Sequence, residues 1–443
     1  MNLILTESRK LRFFTFTMLY LAQGFPFGLV NTALPAYLAE QGESALAVGA
    51  FIGIANLPWS FKLLAGPIMD RWTFLAMGRR RPWVIFAQSC LVLTGLAFIF
   101  FPGGLSNITL LSAVCFTLYV FGASQDVAVD GMAIDVLEPE EHGRANAFMA
   151  FGQVTGISIS TAVAAYVVIN YGMPGIAILL AVAFGLILSI AVMVRERPGE
   201  KILPWTPGEA TQRSLDLKPE GWKIIVVDLF KVMFLPASLL IFAAAFIFRF
   251  AYGVWLGLVP FVVVQELGYE STQYSSFISG IGFVAALAGL ALGLVIDSKG
   301  VKFFYALVLG LYGALCVFIG LASGLWESTR FLVTIGVIQA FIYQGGFISF
   351  IASCMKLCWQ KVSATQFAIY MAGANIGLSM GAGAYGAASK FMTASQIFIG
   401  LGLVFFLGVI VVWLTDFQAH DKRIQTLSKE PGSDEGVSYA QIN

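Results

Sequence analysis

Residues 108–136 read ITLLSAVCFTLYVFGASQDVAVDGMAIDV, apolar throughout the first half and carrying Asp126 and Asp130 in the second. A helix of this length, at about 1.5 Å per residue, crosses the roughly 30 Å hydrocarbon core of a bilayer. Working outward, eleven further apolar stretches of similar length lie at 13–38, 46–69, 83–101, 144–169, 174–194, 236–265, 272–296, 303–322, 329–356, 363–388 and 393–415. A chain that is 58% hydrophobic and 12% charged cannot hide that much apolar surface in one water-soluble core. The expected fold is therefore an all-α membrane protein of twelve transmembrane helices. The first apolar segment is too long for the hydrophobic region of a signal peptide and runs into Asn31, Pro35 and Glu40, so it is expected to stay in the mature protein.

Charge sets the expected orientation. If the amino terminus is cytoplasmic, inside segments hold 22 of the 26 lysines and arginines, and the outside loops hold only Arg330 and Lys390. The positive-inside rule then places both termini in the cytoplasm. The one long hydrophilic connection, 195–235, divides the chain into an N-terminal bundle (1–194) and a C-terminal bundle (236–417). Within it, Pro219 to Phe234 sets Trp222, Ile225, Val226, Leu229 and Met233 on one face against Lys223, Asp228 and Lys231, the pattern of a helix lying on the membrane surface. The polar tail, 418–443, is expected to be disordered. A net charge of +1 gives no sign of nucleic-acid binding, and the five cysteines fall in apolar spans or, for Cys358, at the edge of one, where they read as small hydrophobes.

The two halves echo each other. Gly66 and Asp70 followed by Arg71 close the second span, and Gly293 and Asp297 followed by Lys299 close the eighth. A shift of 219 residues also superposes Gln125 on Gln344, Ala145 on Ala364 and Phe148 on Phe367, as a duplicated six-helix unit would. Gly66-x-x-x-Asp70-Arg71 with Gly78-Arg79-Arg80-Arg81 resembles the loop motif of the major facilitator superfamily, although the insertion between Asp70 and Gly78 departs from its compact form. Gln23-Gly24-Phe25-Pro26-Phe27-Gly28-Leu29, Leu57-Pro58-Trp59-Ser60-Phe61-Lys62-Leu63-Leu64 and Ala123-Ser124-Gln125-Asp126-Val127-Ala128-Val129-Asp130-Gly131 resemble the branch holding AmpG-type muropeptide permeases, acetyl-coenzyme A transporters and single-chain siderophore permeases. The specific motifs cover roughly residues 20–155. The resemblance implies secondary transport by two rocking bundles, monomeric and in a bacterial inner membrane, with muropeptide as the first substrate and ferric siderophore or acyl-coenzyme A as alternatives.

An ionisable side chain near the bilayer centre costs at least about 2.5–3.5 kcal/mol on insertion scales, which makes the few present informative. Asp126 and Asp130 project from one face of the fourth span, about 6 Å apart along its axis. Counting residues from the inner helix ends puts Lys62 and Asp130 at a common depth of about 12 Å, the leading expected ion pair. The same ruler puts Asp126 and Arg249 near the midplane, about 18 and 20 Å up their helices. If protons drive transport, Asp126 or Asp130 is expected to carry them, because both histidines lie in cytoplasmic segments and no deep acidic residue occurs in the second half; the competing reading is interhelical pairing with Lys62 and Arg249.

Arg249 is the candidate for recognising an anion, since a guanidinium engages a carboxylate or phosphate with two parallel hydrogen bonds. Its competing role is as a cross-domain partner for Asp126. Gln23, Asn31, Gln125 and Gln344 are candidates for hydrogen-bonding a polar solute, as are Asn56 and Asn375, and Tyr119, Tyr252 and Trp255 for apolar platforms, with Trp59 and Tyr343 beside them. Helix packing is the competing reading for each. Asp70, Arg71, Arg79, Arg80 and Arg81 form a cytoplasmic cluster, too far from the midplane to hold cargo, and read as an inner gate or as a topology anchor. Gly373, Gly377, Gly381 and Gly383 on the eleventh span suit a moving interface or plain packing. The sequence contains no Gly-x-x-x-x-Gly-Lys-Ser/Thr loop and no histidine in a span, so neither a built-in ATPase nor histidine-based metal or nucleophile chemistry is expected, and no cofactor. A non-transporting receptor is the alternative from a different class.

Overall fold

The computed structural model describes residues 3–65, 68–69, 72–100, 107–137, 141–216, 229–359 and 363–427. Among them there is no strand, only an isolated bridge between Ile4 and Arg195. In chain order the long helices are α1 (Arg9–Glu40), α2 (Ala45–Ser60), α3 (Arg81–Phe100), α4 (Ile108–Val136), α5 (142–171), α6 (173–193), α7 (Pro236–Glu266), α8 (Ser271–Lys299), α9 (Val301–Leu321), α10 (Thr329–Lys356), α11 (Ser363–Ala388) and α12 (Ala394–Leu414). Eight helices in the described residues are long and apolar enough to cross a membrane on composition alone, counting 148–193 once. That stretch folds in two at Gly172, whose φ of 62° only glycine adopts freely, with Pro174 opening the return helix. Adding α2, α8 and α11, the arrangement fits the expected twelve.

Helix starts follow local chemistry. Asn107 caps α4 by accepting from the Leu110 N–H at 3.0 Å, and Thr393 with Gln396 forms a reciprocal capping box on α12. The two halves also share a defect, because α1 loosens into a π-helical turn at Leu29–Ala33 and α7 does so at Phe261–Glu266. One expectation needs correction. The stretch 46–69 is not one continuous helix: after Asn56 it tightens into 3-10 turns at Leu57–Ser60 and Lys62–Leu64, because Pro58 supplies no N–H and disfavours helical geometry before it. Lys62 is thus presented from a broken helix.

Within each half, helices approach to backbone contact through glycine. Gly24 and Gly28 of α1 meet the backbone of Gln153 and Ile157 on α5, and Gly377 and Gly381 of α11 meet the Phe246 and Phe250 carbonyls on α7. Gly373 faces the Phe242 ring, also on α7. These three α11 glycines therefore serve packing inside one half. The contact between halves uses the opposite side of α11, where Gly49 and Gly53 of α2 lie against Ala382, Gly386 and Ser379.

Further cross-half contacts gather on the side remote from the termini. The Ser271 hydroxyl, at the start of α8, donates to Glu40 at the end of α1 (2.6 Å), and Gln265 donates to the Glu43 carbonyl (3.4 Å). At the α5–α8 crossing, the Ser158 and Ser279 hydroxyls each donate to the other's carbonyl.

The linker and tail differ from expectation in part. Most of the amphipathic stretch, 219–228, lies outside the described residues, as do Gly66, Asp70 and Arg71; residues 229–233 are helical and bury Val232 against Trp359. The tail is ordered further than its polarity suggests. Phe417–Leu427 forms a helix that buries Phe417 and His420, and the His420 ring bonds the Leu357 carbonyl at 3.0 Å.

Candidate functional site

The deep charges come together in the N-terminal half. Lys62 Nζ donates to Asp126 Oδ2 at 2.8 Å, with the two side chains 19% and 7% exposed. The expected partner, Asp130, is instead bonded by the Tyr20 hydroxyl of α1. The residue ruler fixes Cα depth to within a turn, whereas a lysine side chain reaches further than that. The ammonium also sits over the Trp59 ring, 5.6 Å from its centroid. Two carboxylates one turn apart therefore face one ammonium and one phenol.

Trp59, Phe27 and Tyr119 form a contiguous aromatic cluster with centroid separations of 5.0–6.0 Å. Behind it the asparagines satisfy one another: Asn56 donates to Asn31 at 2.7 Å, Asn31 to the Tyr119 hydroxyl at 3.0 Å, and that hydroxyl to the Pro26 carbonyl at 3.3 Å. Gln125 is fully buried and donates to the Leu19 carbonyl, while Gln23 accepts from Gln153. These polar groups are engaged in holding α1, α2, α4 and α5 together. Asn375 reaches across the halves to the Trp59 carbonyl at 3.2 Å.

In the C-terminal half, Arg249 is 8% exposed and donates to the Tyr343 hydroxyl at 3.1 Å. Its guanidinium lies 5.6 Å from the Tyr252 ring centroid and 5.9 Å from that of Phe347, and Tyr252 stacks on Tyr343 at 3.9 Å. Among the described residues no carboxylate lies within ion-pair distance of Arg249, so the expected alternative pairing with Asp126 is not formed. Gln344, next to Tyr343, is half-buried and makes no hydrogen bond among the described residues. Trp255 packs edge-on against Tyr312 and Phe398.

The arginine cluster lies apart from these groups and is bound within its own half. Glu196, following α6, accepts from the backbone N–H groups of Arg79, Arg80 and Arg81 at 3.0, 2.8 and 2.6 Å, an anion seated at the start of α3. Arg79 pairs with Asp135 at 3.3 Å, and the Arg81 guanidinium donates to the carbonyls of Ala191, Val192, Lys201 and Ile202. Nearby, Arg12 makes a bidentate pair with Glu141 at 2.7 and 2.8 Å, both buried, and the N-terminal strand-like segment pairs with Arg195. Tyr20, Asp135, Glu141 and Glu196 carry no site signal in the sequence, and Arg12 and Arg197 count there only toward the positive-inside pattern.

Burial pushes the Glu200 carboxyl up to about 7, with the neighbouring Glu196 carboxylate adding to the shift and the Arg197 N–H opposing it. Between the ordinary value of 4.5 and about 7 the unfolded chain ionises while the folded one keeps its proton. Collar stability is thus expected to fall as pH rises through that window and to level off above it. Melting midpoints measured between pH 5 and 8 should show this slope, and Glu200→Gln should remove its share.

A sequence profile of the Major Facilitator Superfamily matches residues 13–382. The anhydromuropeptide permease of Escherichia coli K12 is 24% identical over 372 residues, covering 80% of this chain and 70% of that protein. A putative transporter AmpG 4 of Rickettsia felis is 26% identical over 370 residues, covering 81% and 85% respectively. An uncharacterised protein of Schizosaccharomyces pombe is 32% identical over a shorter stretch of 165 residues, 35% of this chain and 31% of its own length.

Proposed function

As the chain belongs to the major facilitator superfamily, and is on that ground a membrane transporter of a small-molecule solute, we propose that it moves an anionic solute of the muropeptide type across a bacterial inner membrane by alternating access. The observation that carries the anionic preference is Arg249: a buried guanidinium, ringed by Tyr252, Tyr343 and Phe347, with no carboxylate within ion-pair distance among the described residues. A buried cation left in that state is costly, and an incoming carboxylate or phosphate offsets the cost. The muropeptide assignment is supported by the permease relatives, the alternatives being ferric siderophore and acyl-coenzyme A. The cross-half contacts remote from the termini support a cavity open on the termini side, which the positive-inside pattern assigns to the cytoplasm. Arg79, Arg80 and Arg81 would then exchange their bonds within one half for contacts that close the inner side.

Proton coupling is part of the same proposal. Asp126 is paired directly with the Lys62 ammonium, whereas Asp130 accepts from the Tyr20 hydroxyl and has no ion pair among the described residues, so Asp130 is the better placed of the two to take up and release a proton.

The test is uptake of labelled anhydro-muropeptide, ferric siderophore and acetyl-coenzyme A into oriented vesicles with and without a pH gradient. Saturable, gradient-dependent uptake of the muropeptide is expected, with Arg249→Gln reducing it about 10-fold or more through loss of a charged hydrogen bond and Arg249→Lys restoring it only in part. Binding without flux would assign the chain to the receptor class instead.

A further inference from the structure

Inside the C-terminal half, toward the side remote from the termini, α7, α8 and α10, with Ile319 of α9 and Phe398 of α12, line a cavity of about 360 Å³. Its walls include Trp255 and Val262 of α7, Tyr274 and Phe277 of α8, Ile335 of α10 and Trp326 from the α9–α10 connection. That volume falls in the roughly 300–1,000 Å³ range of small-molecule sites, and the lining is apolar and aromatic as such sites are. Gln339 closes the cavity on the inner side, where its amide donates to the Tyr312 hydroxyl at 2.6 Å. One helical turn further along α10, about 6 Å, stands Tyr343, which receives the Arg249 guanidinium. Charge and apolar chamber are therefore neighbours along one helix.

We propose that this chamber is a second subsite for the transported anion, receiving an aliphatic or aromatic group of the cargo while Arg249 holds the anionic group. The inference rests on the Arg249 reading above and deepens it: the cargo carries an apolar group beside its anionic one. Two features favour cargo over a bilayer acyl chain. The chamber lies between α7 and α10, the helices that carry Arg249 and Tyr343, and Gln339 at its inner end stands one helical turn from Tyr343. The cation has an aromatic surround and no counter-charge among the described residues, and the chamber walls are mostly apolar, with Gln339 and Gln273 among the few polar side chains; an amphiphilic anion complements both at once.

The probe is a series of straight-chain alkyl carboxylates, from butanoate to tetradecanoate, competing with 11-bromoundecanoate for the full-length protein in phosphatidylcholine nanodiscs. Bromine quenches tryptophan emission on contact, and Trp255 and Trp326 line the chamber. Saturable quenching is expected, absent from the Trp255→Phe/Trp326→Phe variant. Each added methylene should tighten binding about fourfold, the fold-change equivalent of burying one CH₂, until the chamber is full and affinity plateaus. Ile335→Phe should shorten the ladder, and Arg249→Gln should lower every member by a common factor of about 10 or more. Absence of saturable quenching, or a ladder unchanged by Ile335→Phe, overturns the subsite while the uptake test of Arg249 stands by itself. A ladder of full strength in Arg249→Gln, or one equalled by uncharged alkyl alcohols, overturns the cargo assignment and marks the cavity as a slot for bilayer lipid.

Discussion

Replacing Lys62 by methionine is expected to cost about 3–5 kcal/mol of stability and to abolish uptake, because it leaves the Asp126 carboxylate buried next to Asp130 with no cation. The partial exposure of Lys62 favours the lower end of that range. The double variant Lys62→Met/Asp126→Leu removes both charges, so it should recover most of the stability while uptake stays lost. That separation is the informative part: a pair serving only as interhelical glue would regain transport along with stability. Melting midpoints of the purified variants, with uptake measured on the same preparations, give both readouts. If the single and double variants are equally destabilised, the pair is not an energetic unit and the loss comes from packing of the lysine stem on Trp59. Asp130→Asn completes the set, since it should leave the Lys62–Asp126 pair in place and remove the pH-gradient dependence alone.

The pair itself shows where sequence reading succeeds and where it stops. Lys62, Asp126, Asp130 and Arg249 stood out because charge in an apolar span is expensive and seldom accidental. Their partners did not, since a depth ruler accurate to a turn cannot choose between two aspartates one turn apart. Tyr20 was invisible for a different reason: a tyrosine in an apolar helix carries no charge and reads as ordinary packing until its hydroxyl is seen on Asp130. The spans were legible from length and hydropathy, including the break between 169 and 174, within which the chain turns at Gly172. The break after Pro58 was hidden because apolar residues continue through it, so hydropathy alone could not separate a straight helix from a 3-10 segment. In the tail, buried Phe417 and His420, with Ile424 and Leu427 packed against Val232 and Trp359, dock a helix that is otherwise polar. The collar carries no signal of its own, because charged residues at these helix ends already satisfy the positive-inside pattern. Only the fold brings Glu196 back to residues more than a hundred positions earlier.

That return predicts the second large effect. Glu196→Ala is expected to destabilise the protein by about 3 kcal/mol or more, since three consecutive N–H groups at Arg79, Arg80 and Arg81 lose one shared anionic acceptor in a buried setting. Burial pushes the Glu196 carboxyl up from its ordinary value, and the three N–H bonds, with the Arg197 guanidinium 3.8 Å away, pull it part of the way back. Glu196→Gln should be milder. Its amide oxygen can still accept from Arg80 and Arg81, which both bond Oε1, but its NH₂ would face the Arg79 N–H in place of Oε2. The order expected in melting experiments is wild type, then Gln, then Ala, with the Arg79–Asp135 pair loosening in both variants. Equal melting of the Gln and Ala variants would mean that the negative charge, not the acceptor geometry, organises the turn into α3. No loss in either would mean that water can replace the carboxylate, and the collar would then be a consequence of the fold near the arginines and not its fastening.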